Sequence, residues 1–69
     1  MEISARNFHK GTIKSIKHGQ ILTELVIEMP GGLEITSLIT NTSAERMKLA
    51  VGKPVSTIIK ASNVIVAVE

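Results

Sequence analysis

From residue 21 to residue 29 apolar and polar side chains alternate. Ile21, Thr23, Leu25, Ile27 and Met29 fall on one face of an extended segment, and Glu24 and Glu28 fall on the other. A period of two predicts a strand with one face buried. Pro30, Gly31 and Gly32 follow as turn residues, and residues 33–40 resume the alternation, with Leu33, Ile35 and Ile39 on one face and Glu34, Thr36 and Thr40 on the other. The two segments read as a β-hairpin. Upstream, residues 12–17 lie between Gly11 and Gly19 and predict a first strand, but Ile13 and Ile16 break the period of two. A bulge or bend is expected there.

The pattern changes between Asn41 and Gly52. Thr42 and Glu45 stand at the spacing of a capping box ahead of Arg46, Met47, Lys48 and Leu49, which predicts one short helix with Gly52 at its end. After Pro54, strand pattern returns at Val55, Thr57 and Ile59, pauses at Ala61, Ser62 and Asn63, and resumes in the apolar run Val64, Ile65, Val66, Ala67, Val68. These last two segments form a second candidate hairpin. The expected fold is all-β, an OB-like five-stranded Greek-key barrel with one short helix between the third and fourth strands. The single domain covers residues 1–69. Five successive apolar residues at 64–68 exceed what so short a chain can surround, so a partner subunit is expected to cover one side.

Composition supports this class. Ile, Val and Thr make up 22 of the 69 residues, and branched side chains suit a pleated surface. A domain this small needs help from disulfides, metal or partner subunits. Cysteine is absent and only His9 and His18 are present, so disulfides and thiolate metal sites are excluded and no direct metal ligation by protein is expected. Self-assembly remains.

The net charge of +2 comes from eight Lys and Arg against six Asp and Glu spread along the chain, and it neither demands nor excludes an anionic partner. Single-stranded nucleic acid needs stacking aromatics in a cationic groove, and Phe8 is the one aromatic residue. Phe8 is therefore read as a core or interface residue, and no nucleic acid partner is expected. A nucleophile needs an adjacent base and an orienting third group, and no spacing here supplies them. His9 and His18 read as exposed loop residues, and no enzyme or catalytic residue is expected. Gly31 and Gly32 are too short a run for a phosphate loop and lack a following Lys. Nothing resembles a signal peptide, and no apolar run approaches the roughly 20 residues that span a bilayer. A soluble cytoplasmic protein without a membrane partner is expected.

Small polar residues beside cations at strand ends are the remaining chemistry: Ser4 and Arg6, Thr40, and Lys60, Ala61 and Ser62. This set suits a small oxyanion. One cation at about 4 Å contributes on the order of 4 kcal/mol per unit charge at an effective dielectric near 20, against a desolvation penalty of several kcal/mol. A single cation is marginal, and hydroxyls with backbone amides of a tight turn can supply the rest without adding charge. Solvated polar loops are the competing explanation of the same residues.

The run Ser4, Ala5, Arg6, Asn7 with Lys10 and Gly11 resembles the opening of the Mop domain of the molybdenum-pterin-binding proteins, the molbindins. The similarity continues through Glu24, Glu28, the Gly31 and Gly32 turn, Leu38, Ile39 and Thr40 with Ser43 and Ala44, Leu49 with Gly52, and the closing Ile59, Lys60, Ala61, Ser62, Asn63, Val64. It covers essentially the whole chain. The resemblance implies an OB-like barrel assembled as a hexamer, a trimer of dimers, that binds molybdate or tungstate at subunit interfaces for intracellular storage or homeostasis. Carried onto matching positions, the implied oxyanion site is Ser4, Arg6, Thr40, Lys60, Ala61 and Ser62. The family also implies a second kind of anion site near the threefold axis, for which Lys17, His18 and Gly19 are the candidates; protonation of converging His18 side chains would then strengthen anion binding as pH falls. A pterin would be gripped by stacking, and with no Trp or Tyr the bare oxyanion is preferred, with no organic cofactor. The alternative function is a molybdate-responsive interaction module acting on a regulator or transporter. The chain is expected to be that domain alone, since its residues include no helix-turn-helix segment and no P-loop.

Overall fold

A computed structural model describes residues 2–69. Strand β1 (Asn7–His18) is followed by β2 (Leu22–Glu28), β3 (Glu34–Thr40), a short helix α1 (Asn41–Arg46), β4 (Pro54–Ile59) and a 3-10 turn at Ala61–Asn63. The four strands form one antiparallel sheet in the order β3-β2-β1-β4, curled into a half-barrel. The β2–β3 hairpin matches its alternation, running in unbroken register from Leu22 opposite Thr40 to Glu28 opposite Glu34. Gly31 and Gly32 both have φ near +90°, which a glycine adopts without the cost a Cβ imposes. Leu33, expected on the core face, precedes β3 and is exposed, as is Ile21 ahead of β2.

β1 is twice the expected length and begins at Asn7, not Thr12. Its first half pairs with β4, from Asn7 opposite Ile59 to Thr12 opposite Pro54, and its second half pairs with β2. The expected bulge lies between Ile13 and Ser15, next to this change of partner. An extra residue increases local twist and bends the strand, which lets one strand serve both sides of the curled sheet. The bulge residue Lys14 pairs with Glu34 and, at 4.0 Å, with Glu28. These two glutamates face each other across the ladder, where like charges repel, and the cation offsets that repulsion. Gly11 does not stop the strand. It allows a close approach, because a Cβ there would lie 2.6 Å from Met29 Sδ and 2.8 Å from the Glu28 carbonyl oxygen.

The core comprises Ile13, Leu25, Ile27 and Met29, with Ile16, Ile35, Ile39, Leu49 and Val55 packed against it. Phe8 is not part of it, being exposed opposite Ile58. The helix begins two residues earlier than the Thr42 and Glu45 spacing suggests. Its N-cap is Thr40, whose Oγ1 accepts from Ser43 N–H at 3.1 Å and donates to Ser43 Oγ at 2.9 Å. At its other end Lys48, with φ +53°, takes the left-handed position expected of Gly52, and Lys53 Nζ donates to the Met47 carbonyl at 2.6 Å. Gly52 lies in a separate turn.

Residues 64–68 are not a strand and make no hairpin with β4. Within one chain the sheet is therefore four-stranded and open between β3 and β4, not the expected five-stranded barrel, because β-branched propensity alone does not set a strand against an edge. Among the described residues no helix is long and apolar enough to cross a membrane.

Candidate oxyanion site

The antiparallel register of β1 with β4 ends at Asn7 opposite Ile59. Beyond this last pair the chain before β1 and the 3-10 turn after β4 lie beside each other, bringing Ser4, Ala5 and Arg6 to Lys60, Ala61 and Ser62. These six residues line one cleft of about 350 Å³. The chain thus brings together five of the six expected oxyanion-site residues and adds Ala5. The sequence reading missed this pairing because it began β1 at Thr12 and gave β4 a different neighbour.

The cleft holds two cations, two hydroxyls and no carboxylate. Among the described residues the ion pairs are those of Lys14, so Arg6 and Lys60 have no acidic partner. The 3-10 turn begins after Lys60, and Asn63 N–H donates back to the Lys60 carbonyl at 2.8 Å. The amides of Ala61 and Ser62 donate to no backbone acceptor among the described residues, as expected for the first N–H groups of a helical turn. Arg presents a planar fork of donors and Lys a compact charge on a flexible stem. Together with hydroxyls and the first amides of the turn they make a donor-rich, carboxylate-free wall, suited to an anion that accepts on every side.

Thr40 stands apart. It lies on β3, at the far edge of the sheet from β4, and its hydroxyl is engaged in the cap of α1. Within one chain it does not join the cleft.

The candidate second site is a smaller recess of about 190 Å³ lined by Lys17, His18, Gly19, Leu22, Glu24 and Leu38. Here one cation faces one carboxylate. Lys17 and His18 close β1, so His18 is an exposed strand residue and not a loop residue; His9 likewise lies within β1. Asn41 Nδ2 donates to the Gly19 carbonyl at 3.0 Å, which leaves its Oδ1 to accept from Thr23 Oγ1 at 2.5 Å. With the Thr23 hydroxyl proton committed, its oxygen accepts from His18 Nδ1 at 2.9 Å. The imidazole is thereby held with its proton on Nδ1 by a fully buried threonine. Among the described residues no cluster of His, Asp and Glu is arranged to hold a metal ion.

The TOBE domain family matches residues 3–66. Molybdenum-pterin-binding protein 1 of Clostridium pasteurianum is 39% identical over 66 residues, covering 96% of this chain and 97% of that protein. The molybdenum transport protein ModE of Herbaspirillum seropedicae is 36% identical over 67 residues, but the chain, 97% of which is covered, spans only 25% of it. Among solved structures, MopII of C. pasteurianum superposes with a TM-score of 0.91 at 34% identity, over 97% of this chain and 100% of that one. The cytoplasmic molybdate-binding protein ModG, solved with molybdate bound, also gives 0.91, at 42% identity over 94% of this chain and 46% of that one.

Proposed function

This chain belongs to the TOBE domain family and to the molybdenum-pterin-binding proteins, and we propose that it binds molybdate, and tungstate as its isostere, at subunit interfaces of a cytoplasmic homo-oligomer that stores or buffers the anion. The observation that carries this reading is the cleft, free of carboxylates, that Arg6 and Lys60 both line. A tetrahedral dianion there receives two charge-assisted contacts, from the guanidinium fork and the ammonium. The Ser4 and Ser62 hydroxyls and the Ala61 and Ser62 amides donate to its remaining oxygens without adding charge. Thr40 enters this shell from a neighbouring copy, since its own chain holds it on the opposite edge of the sheet. The assembly is a hexamer built as a trimer of dimers. The role is binding, not catalysis. The recess at Lys17, His18 and Gly19 is a weaker anion position, because Glu24 offsets Lys17 unless several copies converge.

The test is native mass spectrometry with and without molybdate, with sulfate as the control anion. A hexamer that gains several molybdates supports the reading, and an assembly that stays empty sinks it. The match to a quarter of ModE supports a second reading, a molybdate-responsive interaction module. It predicts molybdate-dependent capture of a regulator or transport component in a pull-down.

A further inference from the structure

Carboxylates are spread unevenly over this chain. Glu24, Glu28 and Glu34 stand on β2 and β3, where Lys14 gathers the last two, and Glu45 belongs to α1. The oxyanion cleft at Arg6 and Lys60 has none among its lining residues. Glu2, two residues before Ser4, does not line it either, and among the described residues it forms no ion pair. Thr40, which the proposed function brings from a neighbouring copy, adds a hydroxyl, and the first turn of the helix it caps holds no acid.

The main chain does little to replace the missing acceptor. In the turn at Ala61–Asn63 the Lys60 carbonyl accepts from Asn63 N–H at 2.8 Å, and the Ala61 carbonyl accepts from Val64 N–H at 3.2 Å. Arg6 and Lys60 can only donate. The Ser4 and Ser62 hydroxyls can turn to accept, but a hydroxyl that accepts from an anion's own O–H withdraws its donor from that anion. An anion that still carries a proton therefore lacks a ready partner for it here. An anion with no proton makes no such demand.

Resting on the reading of this cleft as the anion site, we propose that it sorts tetrahedral oxyanions by protonation state. Molybdate, tungstate, sulfate and selenate carry no proton at neutral pH. Phosphate and arsenate come from weaker acids and keep at least one proton until strong base. The cleft admits the first group and disfavours the second, because a retained O–H either goes unpaired or turns a serine away from the anion, which lowers affinity about 10- to 100-fold. Size then ranks the members of the admitted group. The filter matters because phosphate shares the tetrahedral shape and, above neutrality, the double charge that Arg6 and Lys60 attract.

Selenate and arsenate separate protonation from size, since they are nearly equal in size and differ in whether they hold a proton. Each is titrated by calorimetry near neutral pH as a competitor of molybdate on the full chain. Selenate is expected to displace molybdate at about 10- to 100-fold lower concentration than arsenate. Equal potency overturns the inference, and so does failure of both to compete, which makes size the filter; molybdate binding stands in either case. Ser62→Asp supplies the missing acceptor. Its added charge weakens both competitors, so the readout is their ratio, which is expected to fall about 10-fold. If Ser62→Asp binds neither, Ser62→Asn, which adds a neutral carbonyl acceptor, replaces it, and a ratio unmoved there overturns the assignment of the filter to this cleft. Absence of molybdate binding by the wild type, or its persistence in Arg6→Ala with Lys60→Ala, overturns the site reading itself and the inference with it.

Discussion

The two recesses that sequence reasoning marked for anions sit on the same strand and differ in what surrounds their cations. At the start of β1, Arg6 and Lys60 share a cleft with serines and alanines and no acid. At the end of β1, Lys17 shares its recess with Glu24, and His18 is tied through Thr23 to Asn41. An isolated lysine near a turn therefore does not by itself produce a recess free of acidic side chains. What separates the two is whether the fold brings a second cation or a carboxylate to the same place, and that depends on strand register. The first recess joins residues more than fifty positions apart through the β1–β4 ladder. The second is mainly local, and its ordered hydrogen bonds hold the chain around Gly19 together.

The sharpest way to break this contrast is to remove both cations of the first cleft. Arg6→Ala with Lys60→Ala is expected to abolish molybdate binding in calorimetry, and Lys60→Ala alone to weaken it by about 10- to 100-fold, the value of a charged hydrogen bond. Far-ultraviolet circular dichroism is expected to stay unchanged. If Lys60→Ala binds normally, the cleft is not the site.

Gly11→Ala comes next. Its Cβ meets the Glu28 carbonyl oxygen at 2.8 Å, so the backbone must move, and overpacking of this kind costs about 1–3 kcal/mol. Urea unfolding measures the loss. Because Gly11 pairs with Val55 in the ladder that aligns Arg6 and Lys60, molybdate affinity is expected to fall with stability.

Thr23→Val separates structure from binding at the other recess. It keeps the volume but strands the Asn41 and His18 partners, at a cost of about 1–3 kcal/mol. Molybdate affinity at Arg6 and Lys60 is expected to be unaltered. A fall in that affinity would show that the recesses are coupled.

Lys14→Met is expected to have the smallest effect. The hydrogen bond and charge of Glu34, with a lesser contribution from Glu28, hold the Lys14 ammonium above its ordinary value of 10.5. A raised value means the stabilisation is complete at neutral pH and is lost as pH climbs through that raised value. The stability difference between wild type and Lys14→Met, followed from pH 7 upward, is expected to close only in strong base. The pair is solvent-exposed, so the difference is small and salt-sensitive.

The parts of the fold visible in the sequence are those where one face is buried and the other wet. Leu25 and Ile27 alternating with Glu24 and Glu28 declare β2, and the paired glycines declare the turn after it. The first half of β1 hid because Asn7, His9 and Gly11 share one of its faces, and Gly11 looks like punctuation where it serves close packing. Residues 64–68 misled in the opposite direction, since their composition asks for a strand that one chain does not accommodate. Ser4, Arg6 and Lys60–Ser62 were singled out from residue chemistry and family resemblance, but that they line one cleft follows from how β1 pairs with β4. Thr40 was singled out where it closes β3, and within the chain its hydroxyl caps α1 through Ser43.

The position of the cleft beyond the last rung of the β1–β4 ladder has a mechanical consequence. An anion gripped by both Arg6 and Lys60 ties two points of the chain that are separated by nearly its whole length. It acts as a removable clasp in a protein that has no disulfide to do the same. Ligand at about 100 times its dissociation constant stabilises the folded state by about 2.7 kcal/mol. In a domain of this size each kcal/mol raises the melting temperature by roughly 4–8 °C. Loading would therefore register as heat resistance, and an emptied protein would loosen first where its two ends meet.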